Sequence, residues 1–191
     1  MTKKQKLLLV GIVTIAMAVV GGTSAFFVTS DRAHNVITTD GVSIDLIENT
    51  NQVGVDGRPI PFTNINNAMP GDSYSKIPQV KNTDHGDVWV RILVKNSAKK
   101  ADNSTVSLPN NAISADYNTH NWLDGSDGYY YYYRALKAGE TTEPLFTKVT
   151  LSKDLSADYA DTSFNMELTA QGVQVANNGN NVYEAEGWPE E

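Results

Sequence analysis

The residues of this chain that could do chemistry are few and widely spaced. Three histidines, His34, His85 and His120, occur among 191 residues, and none stands in an HExxH motif or at another metal-ligand spacing. Serines are numerous, but none lies in the GxSxG elbow that presents the nucleophile of many hydrolases. These patterns indicate isolated surface histidines. We therefore predict no catalytic residue, no metal ligand and no cofactor.

One acidic cluster, DGSDG at residues 124–128, could place carboxylate oxygens around a calcium ion. It lacks the downstream glutamate of an EF-hand loop, and Asp and Gly are also the residues that tight turns favour. We interpret the cluster as a turn.

Five consecutive tyrosines follow this cluster: Tyr129, Tyr130, Tyr131, Tyr132 and Tyr133. They could form a strand whose odd-numbered rings pack inward while the even-numbered rings face water. Alternatively, an uncharged strand of this kind, if exposed, could pair with another subunit. The charged flank at Arg134 and Lys137 favours the first interpretation, and the five tyrosines remain candidates for a subunit contact.

The elements that must position these residues follow a period of two. In DVWVRILVK, Val88, Val90 and Ile92 alternate with more polar positions, which predicts a strand buried mainly on one side. GVSIDLIE, EPLFTKVTL and FNMELTAQGVQV predict further strands. In the last of these the apolar phase jumps at Gly172, which predicts a β-bulge there.

Residues 96–128 are polar, and we expect a long surface insertion. Residues 152–160 predict one or two turns of helix, capped by Ser152 or Asp154. Short strands between Gly, Pro and Asn turns indicate an all-β fold, a jelly-roll-like antiparallel β-sandwich.

The first 25 residues have the pattern of a secretory signal peptide, with three lysines, an apolar run and small residues that end at Ala25. Cleavage there makes Phe26 the first mature residue. The apolar run, residues 7–20, is shorter than the roughly 20 residues that span a bilayer.

Loss of the three lysines changes the formal net charge from −7 to −10, which repels nucleic acid. The chain has no cysteine, so disulfides cannot stabilise it.

Several blocks together suggest a family: GGTSAFF and TTDGVSIDLIE near the start, MPGDSYSKIPQVKNTDHGDVWVRI at 69–92, LKAGETTEPLF at 136–146, and FNMELTAQGVQVAN with EAEGW. Their leader, turns and strands resemble those of the exported TasA and camelysin (CalY) type matrix proteins, which a SipW-type signal peptidase cleaves. The tyrosine run before LKAGETT is similar to the BsaA subgroup. Some camelysin-type relatives are described as metalloproteases, but this chain has no zinc signature and that activity is not carried over.

The resemblance implies a secreted jelly-roll subunit, at residues 41–191, that polymerises into extracellular biofilm fibres on or near the cell surface. It also implies that the N-terminal segment of one subunit completes a sheet of the next. The partners would be further copies of the chain, the signal peptidase during export, and an anchoring or minor fibre protein.

Residues 26–40 suit the role of a donor strand, because an extended peptide can add to an open sheet edge. Burying Phe26, Phe27 and Val28 gives about 1.5 to 3 kcal/mol each, and four or five hydrogen bonds about 1 kcal/mol each. Association costs about 4 to 15 kcal/mol, which is similar to the sum. We therefore predict that pairing extends from Phe26, Phe27, Val28 and Thr29 to Val36 and Ile37, and that subunit faces also touch.

Two other functions remain open. One is a monomeric secreted module that binds carbohydrate or a cell surface, with Tyr129–Tyr133 and Trp122 as stacking surfaces. The other is an exported, camelysin-like hydrolase.

Overall fold

A computed structural model describes residues 26–27, 35–38, 41–63 and 68–190 of the chain. Residues 1–25, which were predicted to be a signal peptide cleaved after Ala25, and the predicted donor residues Val28 and Thr29 lie outside this part. Among the described residues, no helix is both long enough and apolar enough to cross a membrane.

The described chain is built from thirteen β-strands. It contains no α-helix within the described ranges, and one 3-10 turn, Ala157–Tyr159, stands where a helix of up to two turns was predicted. The strands are β1 Phe26–Phe27, β2 Asn35–Thr38, β3 Ile44–Val53, β4 Pro59–Pro61, β5 Ser73–Ser75, β6 Ile77–Asn82, β7 Val88–Lys100, β8 Thr105–Val106, β9 Ile113–Ala115, β10 Trp122–Asp124, β11 Tyr129–Tyr132, β12 Lys148–Leu151 and β13 Thr162–Gln174.

The strands form one large sheet and two small ones. The large sheet has the order β1-β13-β7-β11-β10, with β2 also on β13 and β8 on β7. The small sheets are β4-β3-β6 and β5-β12-β9. Strands β1 and β2 run parallel to β13, whereas the other pairings are antiparallel. The all-β prediction is confirmed, and the arrangement is consistent with a β-sandwich.

The two small sheets are linked by the chain between residues 140 and 147. Thr142 N donates to the Val80 carbonyl over 2.8 Å, and Leu145 N donates to the Pro78 carbonyl over 3.0 Å. This segment therefore closes the free edge of β6 before it continues into β12. All three sheets contribute to one contiguous core, for example through Val90, Val80 and Val149.

Strand β7 was predicted to be buried mainly on one side, and that prediction is wrong. Val88, Val90 and Ile92 lie in the main core, but Trp89 and Leu93 on the opposite face are also buried. The reason is a second apolar cluster, which covers Trp89 on the outer side of the sheet.

The predicted bulge at Gly172 is also wrong. Strand β13 pairs with β7 without a register shift from Thr162 to Gln174. The apolar phase jumps because Ala170 faces the main core, whereas Val173 faces the second cluster on the other side. The glycine is required for a different reason: a Cβ there would lie 3.2 Å from methyl groups of both Val42 and Ile44.

The predicted surface insertion at 96–128 is instead part of the fold. Strand β7 continues to Lys100, and β8, β9 and β10 follow within the segment. Four of its side chains are fully or almost fully buried: Ala98, Ala112, Ile113 and Trp122. These few apolar residues fix a segment whose composition is otherwise that of a loop.

Candidate functional site

The edge of β13 is the first candidate site. One side of this strand pairs with β7 along all thirteen residues. On the other side Phe26 and Phe27 pair with Ser163 and Phe164, and β2 pairs with Thr169–Gly172. The N-terminal segment therefore covers an edge of the large sheet that would otherwise expose unpaired N–H and C=O groups.

The β13 edge lies next to the main hydrophobic core. Phe164, Met166, Leu168 and Ala170 of β13 project into the main core and are almost completely buried. Val36 of β2 is half-buried and packs against the same core. The segment thus contributes both backbone pairing and apolar contact, which are the two elements of strand complementation.

The connection from β2 to β3 is short and folds against Gly172. Thr38 is the register partner of Gly172, and Val42 and Ile44 come within van der Waals distance of the position that a Cβ of Gly172 would occupy. Gly41 in this connection has φ +86°, a value that favours glycine. The N-terminal segment is therefore separated from β3 by only five residues, 39–43.

The tyrosine strand β11 is the second candidate site. It lies between β7 and β10 in the large sheet. Tyr130 and Tyr132 pack on the main core, and Tyr129 and Tyr131 pack in the second cluster. The predicted alternation, with the even-numbered rings in water, is wrong because both faces of the sheet are covered.

Arg91 organises the outer face of this strand. Its guanidinium lies 3.8 Å from the ring centroid of Tyr129 and 4.5 Å from that of Trp188. Its Nε donates to Gln171 Oε1 over 2.8 Å, and its Nη1 donates to the Tyr131 hydroxyl over 3.2 Å. The cation is thus held by aromatic rings and neutral acceptors.

Residues 175–190 cover this face, and Asn178 fixes them. The Asn178 carbonyl accepts a hydrogen bond from Trp89 Nε1 over 2.9 Å. Its side-chain amide donates to the carbonyls of Gln174 and Glu186, and its Oδ1 accepts from Glu186 N. We call residues 175–190 the C-terminal strap. Two features of the sequence point to this strap: Val173 lies out of step with the apolar residues before it, and EGW at 186–188 places a tryptophan near the C-terminus. Neither feature alone predicts a second covering layer.

The strap and the core limit what the tyrosines can contact. Tyr131 and Tyr132 are buried, Tyr129 and Tyr130 are half-buried, and Tyr133, just after β11, is 45% exposed. A subunit contact through all five rings does not fit this arrangement, and Tyr133 is the residue of the run that a partner can reach directly. Trp122, the other proposed stacking surface, is buried as well.

The DGSDG segment forms the turn between β10 and β11, as predicted. Asp124 Oδ1 accepts from Ser126 N over 2.8 Å, and Asp127 Oδ1 accepts from Tyr129 N over 2.9 Å. The Tyr131 hydroxyl donates to Asp127 Oδ2. Burial opposes the effect, but the hydrogen bonds from Tyr131 and Tyr129 hold the pKa of the Asp127 carboxyl below its usual value. Both carboxylates thus serve the turn itself.

The described histidines lie at the surface. His85 and His120 are both exposed, and His34 lies outside the described residues. Within the described ranges no three His, Cys, Asp or Glu side chains form a group that could hold a metal ion.

A polar cleft of about 400 Å³ lies where β3, β5, β9 and β12 approach one another. Its carboxylate, Asp116, accepts from Thr147 N, the Thr147 hydroxyl and Lys148 N. Burial opposes the effect, but these bonds lower the pKa of the Asp116 carboxyl. Tyr74 also lines the cleft, and burial together with a hydrogen bond to Asp72 raises the pKa of its hydroxyl to about 12. Chemically, the cleft offers hydroxyls, an amide and a lysine to a polar ligand.

Comparisons of the chain with protein-family models, curated proteins and solved structures find no match.

Proposed function

We propose that the chain is a secreted structural subunit that polymerises into extracellular matrix fibres. In this proposal residues 26–38 of one subunit occupy the β13 edge of the next. The observation that supports it best is the pairing of β1 and β2 along β13, because it defines an edge that an N-terminal peptide fits in length, direction and apolar character. The resemblance to TasA and camelysin type proteins points the same way.

In the structure this edge is filled by the chain's own segment, and exchange between subunits would keep the same contacts. The two arrangements therefore differ in the path of the connection at residues 39–43 and in the entropy of association. A segment tethered by a short linker has an effective concentration in about the millimolar range at its own edge. Fibre growth accordingly needs a high local concentration, as at a secreting cell surface.

An exchange in which each subunit donates to the next and accepts from the one before does not close on itself, so it produces a filament. The remaining parts of the proposal follow from this role. The domain folds as a jelly roll, a signal peptidase removes residues 1–25 during export, and an anchoring protein holds the fibre. The subunit has no enzymatic activity, cofactor or nucleic-acid partner.

The polar cleft at Asp116 favours one alternative, a monomeric secreted module that binds a carbohydrate or another polar ligand. Its stacking surface would be Tyr74 in place of the tyrosine run.

The size of the secreted material and its N-terminal residue together test the proposal. We expect Phe26 as the first residue and assemblies far larger than a single mature chain, formed only above a threshold concentration. A single monomer peak at all concentrations that the secreted protein reaches would contradict the fibre proposal.

A further inference from the structure

The hairpin of β3 and β4 continues beyond the end of the pairing between β3 and β6. Strand β6 pairs with β3 only as far as Asn49, whereas β3 continues to Val53 with β4 as its strand partner. The hairpin closes through Gly54 N, which donates to the Arg58 carbonyl, and Gly57 N, which donates to the Gly54 carbonyl. Residues 53–60 therefore form an arm whose tip is open to solvent.

This arm carries an unusual share of exposed apolar side chains. Six large hydrophobic residues are exposed in the described chain: Val53, Val55, Ile60, Met69, Tyr133 and Tyr183. Three of them lie on the hairpin, and Val55 at the tip is as exposed as a residue in an extended peptide. Clustered exposed apolar residues on a short protrusion are typical of a contact surface.

The backbone of the arm restricts how a partner can bind. Pro59 and Pro61 of β4 have no N–H group, so the outer edge of the hairpin is poorly suited to accept another strand. A partner must therefore use the side chains and the tip.

The charges at the tip indicate which partner fits. Asp56 and Arg58 lie 3.9 Å apart and are both largely exposed. A surface with one charge of each sign is self-complementary about a two-fold axis, because Asp56 of each copy can meet Arg58 of the other. Elsewhere the mature chain is acidic, with a formal charge of −10 after loss of the three leader lysines, so copies repel one another less at this neutral tip than at most other places.

We propose that the β3–β4 hairpin is a self-association surface, in which the tip of one copy packs against the tip of a second copy about a two-fold axis. The contact is much smaller than the roughly 800 Å² per partner of a stable complex. It therefore gives weak pairs between free subunits. Between filaments, where many hairpins are arrayed, the same contact becomes a multivalent lateral link. The pairing of hairpin tips does not require the N-terminal strand exchange.

The absence of cysteine allows a direct test. In the mature chain that begins at Phe26, Val55→Cys places a thiol at the tip of each copy, and a disulfide forms only where two Cα atoms approach to about 4.4–6.8 Å. The control is Lys153→Cys, at an exposed position in a different turn. We expect the Val55→Cys chain to form disulfide dimers at least about tenfold faster than the control under the same oxidant. Equal rates overturn the proposal.

Charge reversal makes the test specific for the two-fold contact. In the Val55→Cys chain, Asp56→Arg and Arg58→Asp should each slow dimer formation about fivefold, and mixing the two variants should restore it. Reversals at the exposed pair Lys153 and Asp154 should have no effect. Dimers that form equally fast in the single variants and the mixture overturn the proposal. The assay is run below the concentration at which filaments appear, so its result is independent of the fibre proposal.

Discussion

A chain that lacks residues 26–38 is expected to stay monomeric at concentrations where the mature chain forms filaments. The deletion removes both β1 and β2 and leaves the β13 edge without its partner strand. The four residues of β2 alone would lose about 4 kcal/mol of pairing, at about 1 kcal/mol for each hydrogen bond. Electron microscopy and sedimentation of the two chains would measure the effect.

The deletion also creates an empty acceptor that a peptide can fill. A synthetic peptide of residues 26–38 should bind the shortened chain, raise its melting temperature and leave it monomeric. The same peptide with Val36→Asp is the matched control, since Val36 packs against the core. Filaments of normal length from the shortened chain would contradict the proposed role of the segment.

Trp122→Ala is expected to lower the free energy of unfolding by about 3 to 5 kcal/mol, the range found for buried large-to-small substitutions. Trp122 is 1% exposed, packs against Tyr132, and donates from Nε1 to the Glu143 carbonyl over 2.9 Å. The substitution removes both the packing and the hydrogen bond. Urea denaturation would measure the loss.

Tyr133→Ala is the control, because Tyr133 lies one residue after β11 and is exposed. It should cost less than about 1 kcal/mol. If Trp122→Ala also cost less than that, residues 96–128 would be a peripheral loop after all. Should Trp122→Ala fail to fold, Trp122→Phe keeps the comparison measurable with a smaller loss.

Much of the fold could be predicted from alternation alone. Strands β3, β7 and β13 were recognised because apolar residues at every second position need only one covering layer to be buried. The sequence did not predict that β7 continues to Lys100. Residues 96–100 have the composition of a loop, but they pair with β13 through the backbone.

The second covering layer could not be predicted from local patterns. The second cluster joins residues that are far apart in the chain, among them Trp89, Val173 and Trp188. In the sequence, each of them lies out of step with the alternation that predicts the main core. These residues become buried because the C-terminal strap lies on the outer face of the large sheet. Asn178 fixes this long-range contact. The interpretations of Gly172 and of the tyrosine alternation were wrong for this one reason.

The candidate site was predicted in part. The apolar N-terminus suggested a strand that fills an edge, but the identity of that edge required the register of β2 on β13. The hairpin surface had no sequence signal beyond Val53, Val55 and Ile60 in a turn-rich segment, which could equally have been buried.

The central claim is that the N-terminal segment crosses between subunits, and chain-to-chain crosslinking tests it most directly. Asn35 and Thr169 are register partners across β2 and β13, so Asn35→Cys and Thr169→Cys introduce cysteines at paired backbone positions. The two single variants are mixed during assembly and treated with a short bismaleimide.

If the segment crosses between subunits, crosslinked heterodimers form in the mixed filaments and are absent from filaments of either variant alone. If crosslinks form only in a chain that carries both cysteines, and only as monomers, the segment stays on its own subunit and the fibre mechanism proposed here is contradicted.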